Sequence, residues 1–259
     1  MDPQSNLRIS YDILNFIIDQ LGSEHCYNEL KAFSQTCQML LHPCRVYLFS
    51  TINLHDLNST AQFAALLEEN CKIAGYVQVL TCRVFTMSED LANALLQLNN
   101  LQTLNLYGQH PYDWNSLSSR MQLALTQLFS SPSLSSLFVH RLRLPASLLS
   151  GCPSLKHLAL GAFHSIIPEA CDNTLTSPPQ LLSLDLSNHV AGTTEEIYNM
   201  RRANGLLIVD LSNLQSFISS VHRDEQEKHL EKILRLTPKL NSLEFSGILG
   251  YLHIPYSHD

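Results

Sequence analysis

Apolar residues recur along the chain in two rhythms, and the change from one to the other divides it. Near the N-terminus Ile13, Leu14, Ile17, Ile18 and Leu21 follow helical spacing, which lays one apolar stripe along a helix. Ser10 is placed to cap its first turn, and Asp12 sits where the helix dipole favours an acid. Gly22 follows directly and is read as the residue that closes the helix. A second segment, Tyr27 to Leu41, repeats the pattern with Leu30, Phe33, Cys37, Leu40 and Leu41. Pro43 is read as its interruption, because proline disfavours helical backbone in the residue before it. A third short helix is expected from Arg45 to Phe49. At Ile52 and Leu54 the period falls to two, which predicts a strand over Thr51–Leu54.

Beyond that strand a Leu-x-x-Leu-x-Leu pattern repeats. It reads Leu101, Leu104, Leu106; then Leu134, Leu137, Val139; Leu155, Leu158, Leu160; Leu181, Leu184, Leu186; Leu206, Val209, Leu211; and Leu240, Leu243, Phe245, with a weaker copy at Val77, Leu80, Cys82. Most steps between copies fall in the ~20–29-residue period of leucine-rich repeats, and two are longer. Helices are expected between the copies. Ser88 caps one carrying Leu91, Leu95 and Leu98, another spans Ser116–Phe129, and Pro145 opens Ala146–Ser150. Thr193 or Thr194 is placed to cap Glu195–Ala203, and Asp224 to cap Glu225–Leu236. Pro132, Pro153, Pro179 and Pro238 each stand two residues before a copy's first Leu, where they end a helix ahead of a strand. The reading is an α/β fold: an irregular leucine-rich-repeat solenoid of parallel strands backed by helices over 51–259, behind a small helical module over 7–50. An ordinary α/β domain with leucine-rich strands is the alternative.

The module resembles a known family. Leu7-Arg8-Ile9-Ser10-Tyr11-Asp12-Ile13-Leu14, then Ile17-Ile18 and Leu21, looks like the opening of an F-box, and Leu30-Lys31-Ala32-Phe33-Ser34 continues it. Cys44-Arg45-Val46-Tyr47-Leu48-Phe49 resembles the close of fungal-type F-box domains. Ser10 stands where Pro is usual, Thr36 where Val is common, Gln38 where a basic residue is common, and Leu40 where Trp is common. The resemblance implies a substrate-recognition subunit of a Skp–cullin–F-box ubiquitin ligase. A Skp-type adaptor protein, and through it the cullin complex, would dock on Leu7, Ile13, Leu14, Ile17 and Leu30. A target protein would then meet outward strand positions of the repeats: Gln102, Thr103, Asn105, Ser136, Phe138, His157, Ser183, Asp185, Ser242 and Glu244. The alternative is a protein-binding repeat scaffold with a degenerate F-box that recruits no ligase.

Composition narrows the function without naming it. Charged residues are only 15% and the net charge is −7, with no Lys/Arg cluster, which argues against a nucleic-acid surface. No apolar run is long enough for a bilayer, and Met1 to Arg8 is polar, so a cytoplasmic or nuclear protein without membrane contact is expected. The seven cysteines are irregularly spaced with no C-x-x-C, which reads as reduced thiols. No hydrolase, metalloprotease or phosphate-loop motif occurs, so neither catalysis nor a cofactor is expected. Two clusters carry residue types able to ligate a metal, His222/Glu225/His229 and Cys37/His42/Cys44. The first reads as a solvated helix face, and Cys37 as a core residue of its helix. His140 and His157, beside strands, are candidates for the open face.

Overall fold

The computed structural model describes residues 10–161, 166–167, 177–188, 201, 205, 207–220, 225–247 and 250–255. Its N-terminal part is a set of three helices, α1 (Tyr11–Ser23), α2 (Tyr27–Thr36) and α3 (Gln38–Leu48). Ser10 caps α1, its hydroxyl accepting from the Asp12 amide at 3.3 Å. The helix ends differently from the sequence expectation. Gly22 lies inside α1, and the left-handed closing position belongs to His25, with φ of 57°. The amides of His25 and Cys26 donate back to the carbonyls of Gly22 and Leu21, a pair of bonds that satisfies the last carbonyls of a helix. Gly22 instead serves packing: a β-carbon there would lie 2.2 Å from the Tyr47 ring, so its absence lets α3 close against α1. The Tyr47 hydroxyl then donates to Asp19 at 2.9 Å.

The break between the second and third helices also moves. Cys37, with extended φ and ψ of −155° and 137°, separates α2 from α3, and Pro43 lies within α3. The carbonyl that Pro43 leaves without an amide partner belongs to Met39, which is exposed, so water can satisfy it. Cys37 is exposed rather than core. The module's own core consists of Ile18, Leu30, Leu40 and Cys44, with Leu14, Leu21, Phe33, Tyr47 and Leu48 packed around it. It leans on the following domain through the 3-10 turn Cys71–Tyr76, where His42 Nδ1 and the Tyr76 hydroxyl are 2.7 Å apart.

The remainder is α/β, with a mostly parallel sheet. Its strands are β1 (Thr51–Leu54), β2 (Val79–Arg83), β3 (Thr103–Asp113), β4 (Ser136–Pro145), β5 (His157–Gly161), the short β6 (Ile166–Ile167), β7 (Ser183–Asn188), β8 (Ser216–Ser220), β9 (Ser242–Gly247) and β10 (Gly250–Pro255). Nine of them lie side by side in chain order, omitting β6, which pairs with the outer end of β4. All neighbours are parallel except β9 and β10, an antiparallel hairpin that the repeat pattern did not predict. The helices α4 (Leu57–Glu69), α5 (Glu89–Leu95), α6 (Ser119–Phe129), α7 (Ala146–Ser150) and α8 (Glu225–Leu236) fall between strands. Of these, α4 to α7 pack against one another in sequence order.

One hydrogen-bond device sets the register at every step. Just before each strand, a carbonyl accepts from two successive amides of the next unit. Gln102 O takes Ser135 N and Ser136 N, both at 2.9 Å, and Ser135 O takes Lys156 N and His157 N at 2.9 and 3.0 Å. Lys156, Leu182 and Gln215 carry the ladder on. Strand side chains alternate between faces, so this register stacks Leu80, Leu104, Leu137, Leu158, Leu184, Phe217 and Leu243 in one buried row. With the helices they form a single apolar core from Leu54 to Leu243.

Three sequence expectations shift here. The copy at Val209 and Leu211 is not a strand: those residues are buried ahead of β8, with an isolated bridge from Asp210 to Gln180 ahead of β7, and Leu214 and Phe217 take the repeat positions. Leu206 lies outside the described residues, as do Thr193, Thr194, Asp224 and the stretch Glu195–Met200. The helix expected from Ser116 begins at Ser119 with Ser118 as its cap, after a 3-10 turn at Trp114–Ser116. Helix α4 was not predicted, although Asp56 and Ser59 form a capping box at its start, with Ser59 N donating to Asp56 Oδ1 at 2.7 Å. No helix among the described residues is long and apolar enough to cross a membrane.

Candidate functional site

Two surfaces stand out, one on the module and one on the sheet. On α1 the single stripe read from sequence divides in two. Leu14, Ile18 and Leu21 turn to the module core. Ile13 and Phe16 point away, 54% and 69% exposed, with Ile17 half-buried beside them. Tyr11, Tyr27 and Met39 add further exposed apolar area to the module. Of the proposed adaptor-docking residues, Ile13 is therefore accessible and Ile17 and Leu14 are only partly so. Leu30 is fully buried, which removes it from the accessible set; it supports the module from within. Leu7 lies outside the described residues. Phe16 was missed because it falls between the stripe positions, yet its own signal, an aromatic side chain on the polar side of a helix, was in the sequence.

On the sheet, the face opposite the helices carries rows fixed by the register. Thr103, Ser136, His157, Ser183, Ser216 and Ser242 form one row. Asn105, Phe138, Ala159, Asp185, Ile218 and Glu244 form the next. Nine of the ten outward residues named from sequence thus fall in two adjacent rows. Gln102 differs: it sits one residue ahead of β3, exposed, where its carbonyl joins the register ladder. Asn105, Ser136, Phe138, His157, Ser183 and Asp185 line a shallow cleft of about 210 Å³. Asn105 Nδ2 donates to Thr81 Oγ1 at 3.0 Å across β2 and β3.

Phe138 and, in the next row, Tyr107 and His140 form an aromatic group. Tyr107 and Phe138 lie 5.1 Å apart between centroids, Tyr107 and His140 6.0 Å, and Phe138 and His140 stack at 6.3 Å. His140 fits because Gly161 faces it, where a β-carbon would come within 2.5 Å of the ring. Burial, then the neighbouring Arg141 charge, holds the His140 pKa below the ordinary histidine value.

Beyond the aromatics lies a larger cleft of about 390 Å³, lined by His55, Thr81, Arg83, Tyr107, Gly108, Gln109 and Arg141. It sits just past β1, at the end of β2 and along the middle of β3 and β4. A bulge in β3 opens it. The register jumps between Tyr107 and Tyr112 while β4 advances from His140 to Leu142. Gly108 crosses so close to Arg141 that a β-carbon would meet its carbonyl oxygen at 2.2 Å. Arg141 itself adopts φ of 56°, a conformation that costs a non-glycine residue about 1–2 kcal/mol.

The metal candidates do not assemble among the described residues. Cys37 is exposed while Cys44 is buried, and no group of three potential ligands lies together. His222 is outside the described residues, and of Glu225 and His229 only the helical backbone is described. Burial pushes the thiols of Cys82 and Cys152 up to about 12, so neither is a ready nucleophile. The described surfaces thus comprise an apolar helix face on the module and a polar, aromatic-centred face on the sheet. No family model matches the chain, and no curated protein matches it.

Proposed function

We propose that this chain is a substrate-recognition subunit of a Skp–cullin–F-box ubiquitin ligase, with the three helices as an F-box and the sheet domain as an irregular leucine-rich-repeat solenoid. The observation that carries the reading is the outer face of α1. Ile13 and Phe16 stand exposed on a module that already has its own core. A helix apolar on both sides needs a second apolar partner, and a Skp-type adaptor docking there supplies it. The sequential parallel strands, each begun by the same two-amide hydrogen bond, support the solenoid half of the reading. In this account the open sheet face holds the target. The ligase then gains rate by proximity, because holding a target lysine near the ubiquitin-loaded enzyme raises its effective concentration.

The second reading, a protein-binding scaffold that recruits no ligase, draws on two departures from the F-box pattern. Ser10 caps α1 where Pro is usual, and Leu40 fills the module core where Trp is common. Co-purification of the full chain with a purified Skp-type adaptor and cullin separates the two. Co-elution that Ile13→Asp or Ile17→Asp abolishes supports the ligase reading. Absence of any complex, with a normal thermal melt of the chain, leaves the scaffold. A proteomic comparison with and without proteasome inhibition then identifies targets.

A further inference from the structure

Helix α3 carries the junction between the module and the sheet domain, and the two apolar cores on either side of it are separate. Leu48 packs against the module core and its neighbour Phe49 against the sheet core, so the handover falls between adjacent residues at the end of α3. Two contacts tie this helix to the sheet domain. At its C-terminal end the Ser50 hydroxyl donates to the Tyr47 carbonyl at 2.9 Å, and the Ser50 carbonyl accepts from the Gln78 and Val79 amides at 2.9 and 2.8 Å. Ser50 is therefore both the last residue of the module and the first rung of the register ladder. About two turns earlier, His42 Nδ1 and the Tyr76 hydroxyl are 2.7 Å apart, either atom donating according to the ring tautomer. The two rings lie 5.5 Å apart between centroids, at 53°. Tyr76 is itself fixed on the sheet side. It ends the 3-10 turn whose Ile73 and Ala74 are buried, Val77 follows it into the core, and Asn100 Nδ2 donates to the Gly75 carbonyl at 2.7 Å.

A single attachment at Ser50 leaves the module free to turn about that residue, because among the described residues no common apolar core joins the two parts. A second attachment about 12 Å along the same helix removes that freedom. We infer that the His42–Tyr76 pair is a latch: it sets the angle of the module on the sheet domain, and Ser50 is the hinge about which the module swings when the pair opens. The latch is small. It consists of one hydrogen bond and one ring contact, and His42 is exposed, so opening it disturbs neither core and the ladder rung at Ser50 stays made. Its consequence is geometric. With the latch closed, Ile13 and Phe16 on α1 and the open face of the sheet hold one relative orientation; with it open they sample a range. This device goes beyond the adaptor docking proposed above and holds for whatever partner either surface takes.

The test uses the full chain with a ketone-bearing phenylalanine analogue in place of Lys31 on α2 and Gln127 on α6, both exposed. Each ketone carries a nitroxide, so the native cysteines stay unlabelled. Pulsed electron resonance then reads the distribution of distances between the module and the sheet domain. One narrow distribution is expected for the chain with its latch intact. Tyr76→Phe keeps the ring and removes the hydroxyl, and His42→Ala removes the other partner. Each should raise the population at other distances about tenfold, the factor that loss of one hydrogen bond implies. The double variant should go about as far as His42→Ala alone, because the two residues act as one pair. His157→Ala, which removes an exposed histidine from β5, should leave the distribution unchanged. Thermal melts confirm that each variant is folded, and Tyr76→Phe, which removes a single oxygen atom, is the one that decides if His42→Ala fails to fold. A distribution as narrow in Tyr76→Phe as in the unaltered chain, or one already broad in the unaltered chain, overturns the proposal. No adaptor takes part in the measurement, so its outcome is independent of docking by α1.

Discussion

The three-helix module and the sheet domain are both rich in Leu and Ile, yet they bury them to different extents. Among its described apolar residues the module buries Ile18, Leu30, Leu40 and Cys44, while Tyr11, Ile13, Phe16, Tyr27 and Met39 remain exposed on it. The sheet domain buries one continuous core from Leu54 to Leu243, and among its described residues the large exposed apolar ones, Leu57, Leu123 and Leu236, are scattered over separate helices. A short helical module has too little interior to shelter every apolar side chain. A sheet extended by repetition shares its interior with each neighbouring unit. Under the proposed function the module's surplus apolar face is its docking surface, and the sheet holds its target through what its open face displays.

The sharpest way to break this comparison is to damage the shared core. Leu104 is fully buried in the central row, so Leu104→Ala should cost about 2–5 kcal/mol, read by urea denaturation of the sheet signal. A cost below about 1 kcal/mol would show that the rows are loosely packed. In the module, Gly22→Val drives side-chain atoms into the Tyr47 ring, 2.2 Å from the ideal β-carbon. It should cost about 1–3 kcal/mol and lower the melting of the helices while the sheet core holds. An unchanged melt would mean that α1 and α3 are not closely apposed. His25→Gly relieves the left-handed closure of α1 and should stabilise by about 0.5 kcal/mol; destabilisation would place the closure elsewhere.

The smallest effect concerns His140. Its proton is bound less readily in the folded protein than in the unfolded chain, first because of burial and second because of Arg141. Stability contributed by the neutral ring is present above the ordinary histidine value and is lost as pH falls below it. Arg141→Gln should raise the folded pKa, observed by NMR titration of the ring, and so reduce that acid loss. A value that stays put or falls would deny Arg141 its role beside the ring.

The sheet was legible in sequence because its signal repeats: one strand's inward Leu pair predicts the next. The signal failed where a copy lost its leucines. At β8 the inward positions are Phe217 and Ser219, so the nearer Val209 and Leu211 attracted the register. The outward rows were legible because alternation alone assigns a face. The charged cleft was not. Arg83, Gln109 and Arg141 come from three separate strands and His55 from the residue after a fourth, and only the register ladder and the β3 bulge align them. In the module, Pro43 misled because it lies inside α3 at the cost of one helix bond at an exposed residue, while Cys37 carries no helix-breaking chemistry of its own.

The account turns on the outer face of α1, and one titration tests it most directly. Purified Skp-type adaptor is titrated into the full chain and into Phe16→Asp and Leu123→Asp, with folding checked by thermal melt. Leu123 is as exposed as Ile13 but lies on α6, in the sheet domain, so it controls for the loss of an exposed apolar side chain in general. Neither exposed substitution should shift stability by more than about 0.5 kcal/mol. The account predicts a complex with the unaltered chain, weakened about thirtyfold or more by Phe16→Asp, as for a central aromatic anchor, and untouched by Leu123→Asp. Equal affinities for all three chains, or no complex with any of them, would contradict it.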